Sequence, residues 1–186
     1  MRAVGVTTYG GPEALELVDL PEVHAGPGEV RLRVYAATVN PTDTYVRNGD
    51  RAKVQSADPG PYVPGMDAAG IVDEVGEGVT TGIAVGDRAM AIVVPKGTHG
   101  AYRESLVLPA GSVTRSPEGT SHAEASTLPM NGLTARLSLD LLGLQPGQII
   151  AVTGAAGCYG GYVVQLAKAD GLTVIADASE ADTELV

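Results

Sequence analysis

Hydrophobic and polar positions in the first two thirds of the chain predict short β-strands. The run Val30-Arg31-Leu32-Arg33-Val34 alternates strictly, which is typical of a strand with one buried face. Similar β-branched runs lie between turns rich in glycine and proline. The predicted strands are Ala14–Val18, Glu29–Thr38, Ala69–Val75, Arg88–Val94 and Ala101–Val107. Several short strands with turn signals between them indicate an all-β barrel or sandwich.

Near residue 125 the pattern changes to alternating helices and strands. A leucine-rich stretch with roughly helical spacing ends at Gln145-Pro146-Gly147, and a predicted strand, Gln148–Thr153, follows it. A predicted helix, Tyr162–Ala169, and a second strand, Leu172–Ala176, complete a βαβ unit with parallel strands. The predicted fold class is therefore all-β followed by α/β, with a first domain over residues 1–125 and a second over residues 126–186.

The end of the sequence carries the start signal of a helix. Ser179 precedes the acidic Asp182 by three residues, as in a capping box. A doubly wound sheet has about five or six strands, and only two are predicted here. We therefore interpret the second domain as the first part of a larger Rossmann domain, with a short frayed tail as the alternative.

Composition excludes several classes of function. The chain has 186 residues, with 12 basic against 22 acidic side chains and a formal charge of −10, which argues against nucleic acid or an anionic membrane as partner. Cys158 is the only cysteine, so an intramolecular disulfide and a multi-cysteine zinc site are excluded. The N-terminus lacks the apolar core of a signal peptide, and we expect a soluble, cytoplasmic protein.

The glycine turn inside the βαβ unit is the strongest chemical signal. Ala155 stands at the first position of the dinucleotide fingerprint, and Gly157 and Gly160 fit the second and third. The N-terminus of the following helix would present N–H groups to a diphosphate. The turn thus predicts cofactor contacts, with a purely structural turn as the alternative. The predicted contact residues are Ala155, Ala156, Gly157, Cys158, Tyr159 and Gly160.

The residues after the second strand bear on the choice between NADH and NADPH. An acidic side chain there binds a ribose 2′-hydroxyl, whereas a 2′-phosphate needs hydroxyl or basic groups. Ser179 is able to donate to a phosphate, but Asp177, Glu180 and Asp182 would repel one unless they are turned away. The residues alone leave this choice open.

A set of motifs spread over the chain carries a family resemblance. The motifs include Tyr9-Gly10-Gly11-Pro12-Glu13, Pro27-Gly28-Glu29-Val30, Val39-Asn40-Pro41-Thr42-Asp43-Thr44-Tyr45, Pro64-Gly65-Met66-Asp67-Ala68-Ala69-Gly70, Val85-Gly86-Asp87-Arg88 and the glycine turn. With them the chain resembles the N-terminal part of a zinc-independent quinone oxidoreductase (zeta-crystallin type) of the medium-chain dehydrogenase/reductase superfamily. The resemblance implies a GroES-like β-domain beside a Rossmann domain, NADPH as cofactor with NADH still open, and homodimerisation of intact members.

The resemblance also implies site residues. It places Asn40 and Tyr45 beside the nicotinamide end of the cofactor, and Thr134 in contact with it at a helix start. Tyr45 is the candidate catalytic proton donor, with solvent as the alternative. From the residues alone, Asn40 before Pro41 is held extended with its amide toward a cleft, or forms an Asx-turn. Without the resemblance, Tyr45 is expected to be a half-buried strand residue.

No metal site is expected. Zinc-dependent relatives carry Gly-His-Glu where this chain has Gly65-Met66-Asp67, and a cysteine where Asn40 stands. A methionine is a poor zinc ligand. The three histidines of the chain occur in separate turn-like segments, where solvated or capping roles are expected.

The predicted function is hydride transfer from NAD(P)H to a small electrophilic carbonyl substrate, a quinone or an α,β-unsaturated carbonyl. Four positions depart from the family. Arg51 replaces a frequent tyrosine, Asp182 replaces a frequent lysine, and Cys158 and Tyr159 replace smaller residues in the glycine turn. The larger Tyr159 ring either narrows the cleft over the pyrophosphate or packs between helix and sheet. The alternative functions are a non-catalytic nucleotide-binding or interaction module and a biosynthetic reductase or cyclase on the same fold.

Overall fold

The computed structural model describes residues 1–52 and 60–186. The chain divides into two compact units, Met1–Pro129 and Met130–Val186, here called the first and the second unit. The sequence pattern changes slightly before this division, near residue 125. Among the described residues, the helices are all too short or too polar to span a membrane.

The first unit is built on antiparallel β-structure. Its strands are β1 (Arg2–Gly5), β2 (Glu16–Asp19), β3 (Glu29–Ala37), β4 (Asp67–Val75), β5 (Arg88–Ile92), β6 (Ser105–Pro109) and β7 (Val113–Arg115). Five of them form one sheet in the order β6-β3-β4-β5-β7, and β1 pairs with β2. Val30 and Leu32 of β3 are fully buried and Arg33 is exposed, so one face of this sheet covers the core. The predicted all-β part is confirmed.

Two strands of the first unit begin later than the sequence pattern indicates. β2 starts at Glu16 because Pro12–Ala14 forms a 3-10 turn. β6 starts at Ser105, and the N–H of Ala101 binds the carbonyl oxygen of Gly65 at 3.0 Å in an irregular segment. The strands β1 and β7 have only four and three residues and lie outside the predicted set. Runs this short carry too little periodicity to be recognised.

The described residues of the first unit also include the helices α1 (Pro41–Asn48) and α2 (His122–Ser126). α1 lies where the hydrophobic pattern indicates no helix, because Val46 is its one buried apolar residue. Its ends nevertheless carry helix signals. Asn40 is extended at the N-cap, as expected for a residue before Pro41, and Gly49 ends the helix with a φ of +88°.

The second unit contains the predicted βαβ unit, which is confirmed. The second unit begins with the helix α3 (Pro129–Leu142), whose first residue is the last residue of the first unit. The βαβ unit that follows consists of β8 (Ile149–Val152), α4 (Cys158–Ala169) and β9 (Thr173–Ala176). β8 and β9 are parallel, with Val152 opposite Ala176. α4 starts earlier than predicted, because glycines in its first turn interrupt the apolar pattern. The helix expected after Ser179 is only a 3-10 turn, Glu180–Asp182.

Candidate functional site

The glycine turn between β8 and α4 is closed by backbone contacts. Gly154 bends the chain with a φ of +67°, and the N–H of Gly157 donates to the Gly154 carbonyl oxygen at 2.9 Å. A Cβ at Gly160 would lie 2.2 Å from that same oxygen, so this position accepts only glycine. Gly160 therefore permits close packing of helix against turn, as predicted. The tight bend falls on Gly154 and not on Ala155, because only Gly154 has the positive φ.

The first turn of α4 offers backbone donors for an anion. Cys158, Tyr159 and Gly160 are its first three residues, and such N–H groups have no acceptor inside their own helix. The helix has 12 residues, so its positive dipole end adds to these donors. A cavity of about 520 Å³ runs from Ala155 and Ala156 along α4 as far as Gln165, and Leu185 and Val186 also line it. Donors, dipole and a glycine-only cradle fit a diphosphate group.

Ala155 connects the glycine turn to the end of β9. Its side chain is buried, and its N–H donates to Asp177 Oδ1 at 3.1 Å. The N–H of Asp177 in turn donates to the carbonyl oxygen of Val152 at 3.2 Å. The Ala155 N–H is therefore engaged within the chain, and Asp177 is held beside the turn.

Tyr159 links the start of α4 to α3. Its hydroxyl donates to Ser138 Oγ at 2.8 Å, and the Ser138 hydroxyl donates to the carbonyl oxygen of Thr134 at 2.8 Å. Thr134 is exposed within α3, beyond its first turn, and its own hydroxyl donates to the Met130 carbonyl oxygen at 2.6 Å. The structure thus joins two of the sequence-predicted site residues, Tyr159 and Thr134, through one serine.

Ser179 is exposed and already has an acceptor. Its hydroxyl donates to Asp182 Oδ2 at 2.6 Å, and its carbonyl oxygen accepts a hydrogen bond from the Thr183 hydroxyl at 3.2 Å. The Ser179 hydroxyl, which was expected to donate to a phosphate, therefore already donates to the carboxylate of Asp182.

In the first unit, Asn40 belongs to a buried polar network. Its side chain is 5% exposed, and Nδ2 donates to Asp67 Oδ2 at 2.7 Å and to Thr38 Oγ1 at 3.2 Å. The Thr38 hydroxyl also donates to Asp67 Oδ2, at 2.7 Å. The network ties the end of β3 to the start of β4. Sequence reasoning missed the role of Asp67, although an acid among alanines in a buried strand was a visible signal.

Asp43 on α1 is a second buried carboxylate beside this network. Its two oxygens accept the N–H groups of Gly65 at 2.8 Å and Asn40 at 2.7 Å, and the Tyr102 hydroxyl at 3.2 Å. Burial raises the pKa of Asp43 above its usual range, although these hydrogen bonds oppose the shift. Burial, followed by the nearby charge of Asp43, raises the pKa of Tyr102 well above its usual range.

Tyr45 lies in α1, so the expectation of a strand residue is wrong. Its side chain is 47% exposed, whereas Asp43, two residues earlier on the helix, is buried. Residues two apart do not share a helix face, so Tyr45 and Asp43 point to different sides. The Tyr45 carbonyl oxygen accepts the N–H of Arg51, an exposed residue.

The described parts of the chain contain no group of three potential metal-binding side chains. The histidines occupy separate places. The exposed His24 lies 2.8 Å from Glu74, and His122 stacks on Tyr35 with ring centroids 4.9 Å apart. His99 is half-buried in a turn, and burial lowers its pKa.

An antiparallel β-unit followed by a βαβ unit with a glycine turn is the architecture of the medium-chain dehydrogenases/reductases. Residues 26–118 match the family model described as the alcohol dehydrogenase GroES-like domain, and the chain belongs to this family. The fold class and the family expected from the sequence motifs are both confirmed.

Named relatives cover the whole chain. It is 33% identical over 193 residues to the quinone oxidoreductase of Rattus norvegicus, and the match covers 100% of this chain and 55% of the relative. An alcohol dehydrogenase superfamily protein from Novosphingobium aromaticivorans superposes with a TM-score of 0.88 at 28% identity, covering 100% of this chain and 56% of that one. Mycobacterial Rv1454c complexed with NADPH superposes with a TM-score of 0.78 at 32% identity, and the match covers 100% of this chain and 55% of that chain. The chain thus spans about half the length of the relatives it matches.

Proposed function

We propose that the polypeptide carrying this chain is an oxidoreductase that transfers hydride from a reduced nicotinamide dinucleotide to a quinone or an α,β-unsaturated carbonyl. The glycine turn carries this proposal, because it places the N–H groups of Cys158, Tyr159 and Gly160 where a diphosphate can bind. The names of two relatives support it: one is a quinone oxidoreductase and the other is a structure complexed with NADPH.

The residues of this chain bind and orient the cofactor, while a bound reduced nicotinamide supplies the hydride. The α4 donors hold the diphosphate, and the Gly160 contact keeps them in place. In the first unit, the side-chain amide of Asn40 is engaged within the chain, because Nδ2 donates to Asp67 and Thr38 and the side chain accepts the Asp43 N–H in a capping box. These hydrogen bonds hold the buried Asn40 side chain in one orientation.

Tyr45 remains the proposed proton donor for reduction of an enone. Its side chain is about half exposed, so its hydroxyl can meet a substrate. Tyr102, whose hydroxyl contacts Asp43 of α1, is a poor candidate, because that hydroxyl is shared between Asp43 and the Thr38 carbonyl oxygen. Burial also raises the pKa of Tyr102, which further weakens it as an acid.

We further propose that the reaction needs no zinc. The donor set around Asn40 consists of an amide, a hydroxyl and the carboxylate of Asp67, and these groups are already hydrogen-bonded to one another. Zinc prefers cysteine and histidine ligands in tetrahedral sites. The neighbouring Met66 offers a thioether, which is a poor ligand for this ion.

The test is an assay of the natural full-length polypeptide that contains this sequence. Oxidation of NADH and of NADPH is followed by nicotinamide absorbance in the presence of a benzoquinone and of an enone, before and after treatment with a chelator. We expect turnover with at least one acceptor that survives the chelator. Tight dinucleotide binding without turnover would instead identify a nucleotide-binding module. Tyr45→Phe should lower enone turnover by much more than it changes dinucleotide affinity, and Tyr35→Phe is the matched control.

A further inference from the structure

Asp177 occupies the position that selects between the two nicotinamide dinucleotides. β9 ends at Ala176, opposite Val152 of β8, so Asp177 follows at the carboxyl edge of the parallel pair. Its Oδ1 accepts the Ala155 N–H of the glycine turn at 3.1 Å. In dinucleotide-binding βαβ units, an acid at this place accepts a hydrogen bond from the adenosine ribose 2′-hydroxyl. The carboxylate is thus turned toward the turn and not away from it.

The second oxygen of this carboxylate is available to a ligand. Asp177 is exposed, and only Oδ1 is engaged by a donor of the second unit, all of whose residues are described. A carboxylate has several lone pairs and accepts without donating. Oδ2 therefore suits a hydroxyl donor such as the ribose 2′-OH, and it repels a phosphate at the same position.

The basic side chains of the second unit lie at the other end of α4. The second unit has two basic side chains, Arg136 and Lys168. Lys168 is in the last turn of α4, and Arg136 binds Asp170 at the C-cap of that helix at 2.7 Å. A helix of 12 residues is about 18 Å long, so both cations are far from the glycine turn at its start.

The segment after β9 adds negative charge instead. Ser179 is its one serine, and the Ser179 hydroxyl donates to Asp182 at 2.6 Å. To bind a 2′-phosphate, Ser179 would have to release Asp182 and leave a carboxylate beside the new anion. Asp182 and Asp177 together would then oppose a group that carries about two negative charges near neutral pH.

We infer that Asp177 makes this protein prefer NADH over NADPH by accepting the adenosine ribose 2′-hydroxyl at Oδ2 and repelling a 2′-phosphate. The inference rests on the proposed function, since it concerns the same dinucleotide site. It departs from the NADPH that the family resemblance implies and that is bound in the mycobacterial relative.

The test measures binding and does not depend on turnover. NADH and NADPH are titrated into the natural full-length polypeptide, and dissociation constants are taken from nicotinamide fluorescence. We expect NADH to bind at least about tenfold more tightly, a ratio that corresponds to one modest charge interaction. The ratio should shrink as salt is added, because added ions screen repulsion between exposed charges.

Three variants separate Asp177 from a general charge effect. Asp177→Asn keeps an acceptor for Ala155 and removes the charge, and it should reduce the preference for NADH about tenfold. Asp182→Asn should reduce the preference for NADH less than Asp177→Asn does. This second variant still tests the charge effect if Asp177→Asn folds poorly. Asp170→Asn removes the same charge at the far end of α4 and should leave the ratio unchanged.

The outcomes distinguish this inference from the function on which it rests. Binding of both dinucleotides with NADPH the tighter would overturn the NADH preference and leave the oxidoreductase proposal standing. An unchanged ratio in Asp177→Asn, or an equal change in Asp170→Asn, would also overturn the role of Asp177. Failure of the unaltered protein to bind either dinucleotide would overturn both proposals.

Discussion

The side-chain amide of Asn40 donates to the carboxylate of Asp67 across 2.7 Å, and both groups are buried. The two residues lie 27 positions apart, and the bond joins the segment after β3 to the first residue of β4. The Thr38 hydroxyl donates to the same carboxylate oxygen. Asp67 is thus the common acceptor for the buried Asn40 amide and the half-buried Thr38 hydroxyl.

Removing this acceptor should destabilise the protein. Asp67→Ala would remove the acceptor of the buried Asn40 amide and of the half-buried Thr38 hydroxyl, and a buried unsatisfied group costs about 1–3 kcal/mol. We expect the free energy of unfolding in urea to fall by at least about 2 kcal/mol. Asp19→Ala, at the exposed end of β2, is the control and should change it by less than about 0.5 kcal/mol. Equal losses in the two variants would show that Asp67 is not a structural acceptor.

Asp43 should make stability depend on pH in an unusual direction. Its pKa is raised in the folded protein by burial, so the folded state holds a proton that the unfolded state has lost. The free energy of unfolding should therefore fall as pH rises from about 3.9, the ordinary aspartate value, through the raised pKa. A carboxyl-carbon NMR titration of Asp43 measures this pKa directly.

The Tyr102 hydroxyl should limit that shift. It donates to Asp43, and this bond favours the ionised carboxylate. In Tyr102→Phe we expect the pKa of Asp43 to rise further, and the pH window of decreasing stability to extend upward. Tyr159→Phe removes a phenol hydroxyl in the second unit and should leave the titration of Asp43 unchanged. A lower pKa of Asp43 in Tyr102→Phe would contradict the assignment.

Two adjacent glycines of α4 provide a matched pair of variants. A methyl group at Gly160 would meet the Gly154 carbonyl oxygen at 2.2 Å, whereas at Gly161 the closest atom is 3.8 Å away. Gly160→Ala should lose about 1–3 kcal/mol of stability and abolish dinucleotide binding, because the turn must open. Gly161→Ala should gain up to about 1 kcal/mol from its higher helix propensity. Thermal unfolding and fluorescence titration check both results. Normal dinucleotide binding by Gly160→Ala would refute the proposal that the tight turn at Gly160 is needed to bind the diphosphate.

The Tyr159–Ser138 hydrogen bond should couple the glycine turn to α3. We expect a double-mutant cycle with Tyr159→Phe and Ser138→Ala to give a coupling energy of about 0.5–1.5 kcal/mol in urea unfolding. Once Tyr159 has lost its hydroxyl, Ser138→Ala should have little further effect. Strictly additive losses would mean that the 2.8 Å contact contributes nothing to stability.

The parts of the fold that the sequence predicted well depend on local patterns. The βαβ unit could be recognised because a strand, a glycine turn, a helix and a strand follow one another within a short stretch of chain. The hydrophobic pattern did not predict α1, because Val46 is the one buried apolar side chain among its eight residues. A helix with a single buried apolar residue shows too little periodicity to be recognised. The Asn40, Pro41 and Gly49 signals at its ends were available, and they mark a helix without a hydrophobic face.

The sequence by itself determined the two-part organisation, the glycine turn and the family, because periodicity, turn residues and motifs are properties of neighbouring positions. Only the tertiary structure decided that Asn40 meets Asp67 and that Asp177 faces Ala155, 22 residues earlier in the chain. Strand register and burial determine these partners. A buried polar group needs a hydrogen-bond partner, and only the folded chain decides which residue lies within hydrogen-bond distance. The same selection turned Asp177 toward the glycine turn, a choice that the order of residues left open.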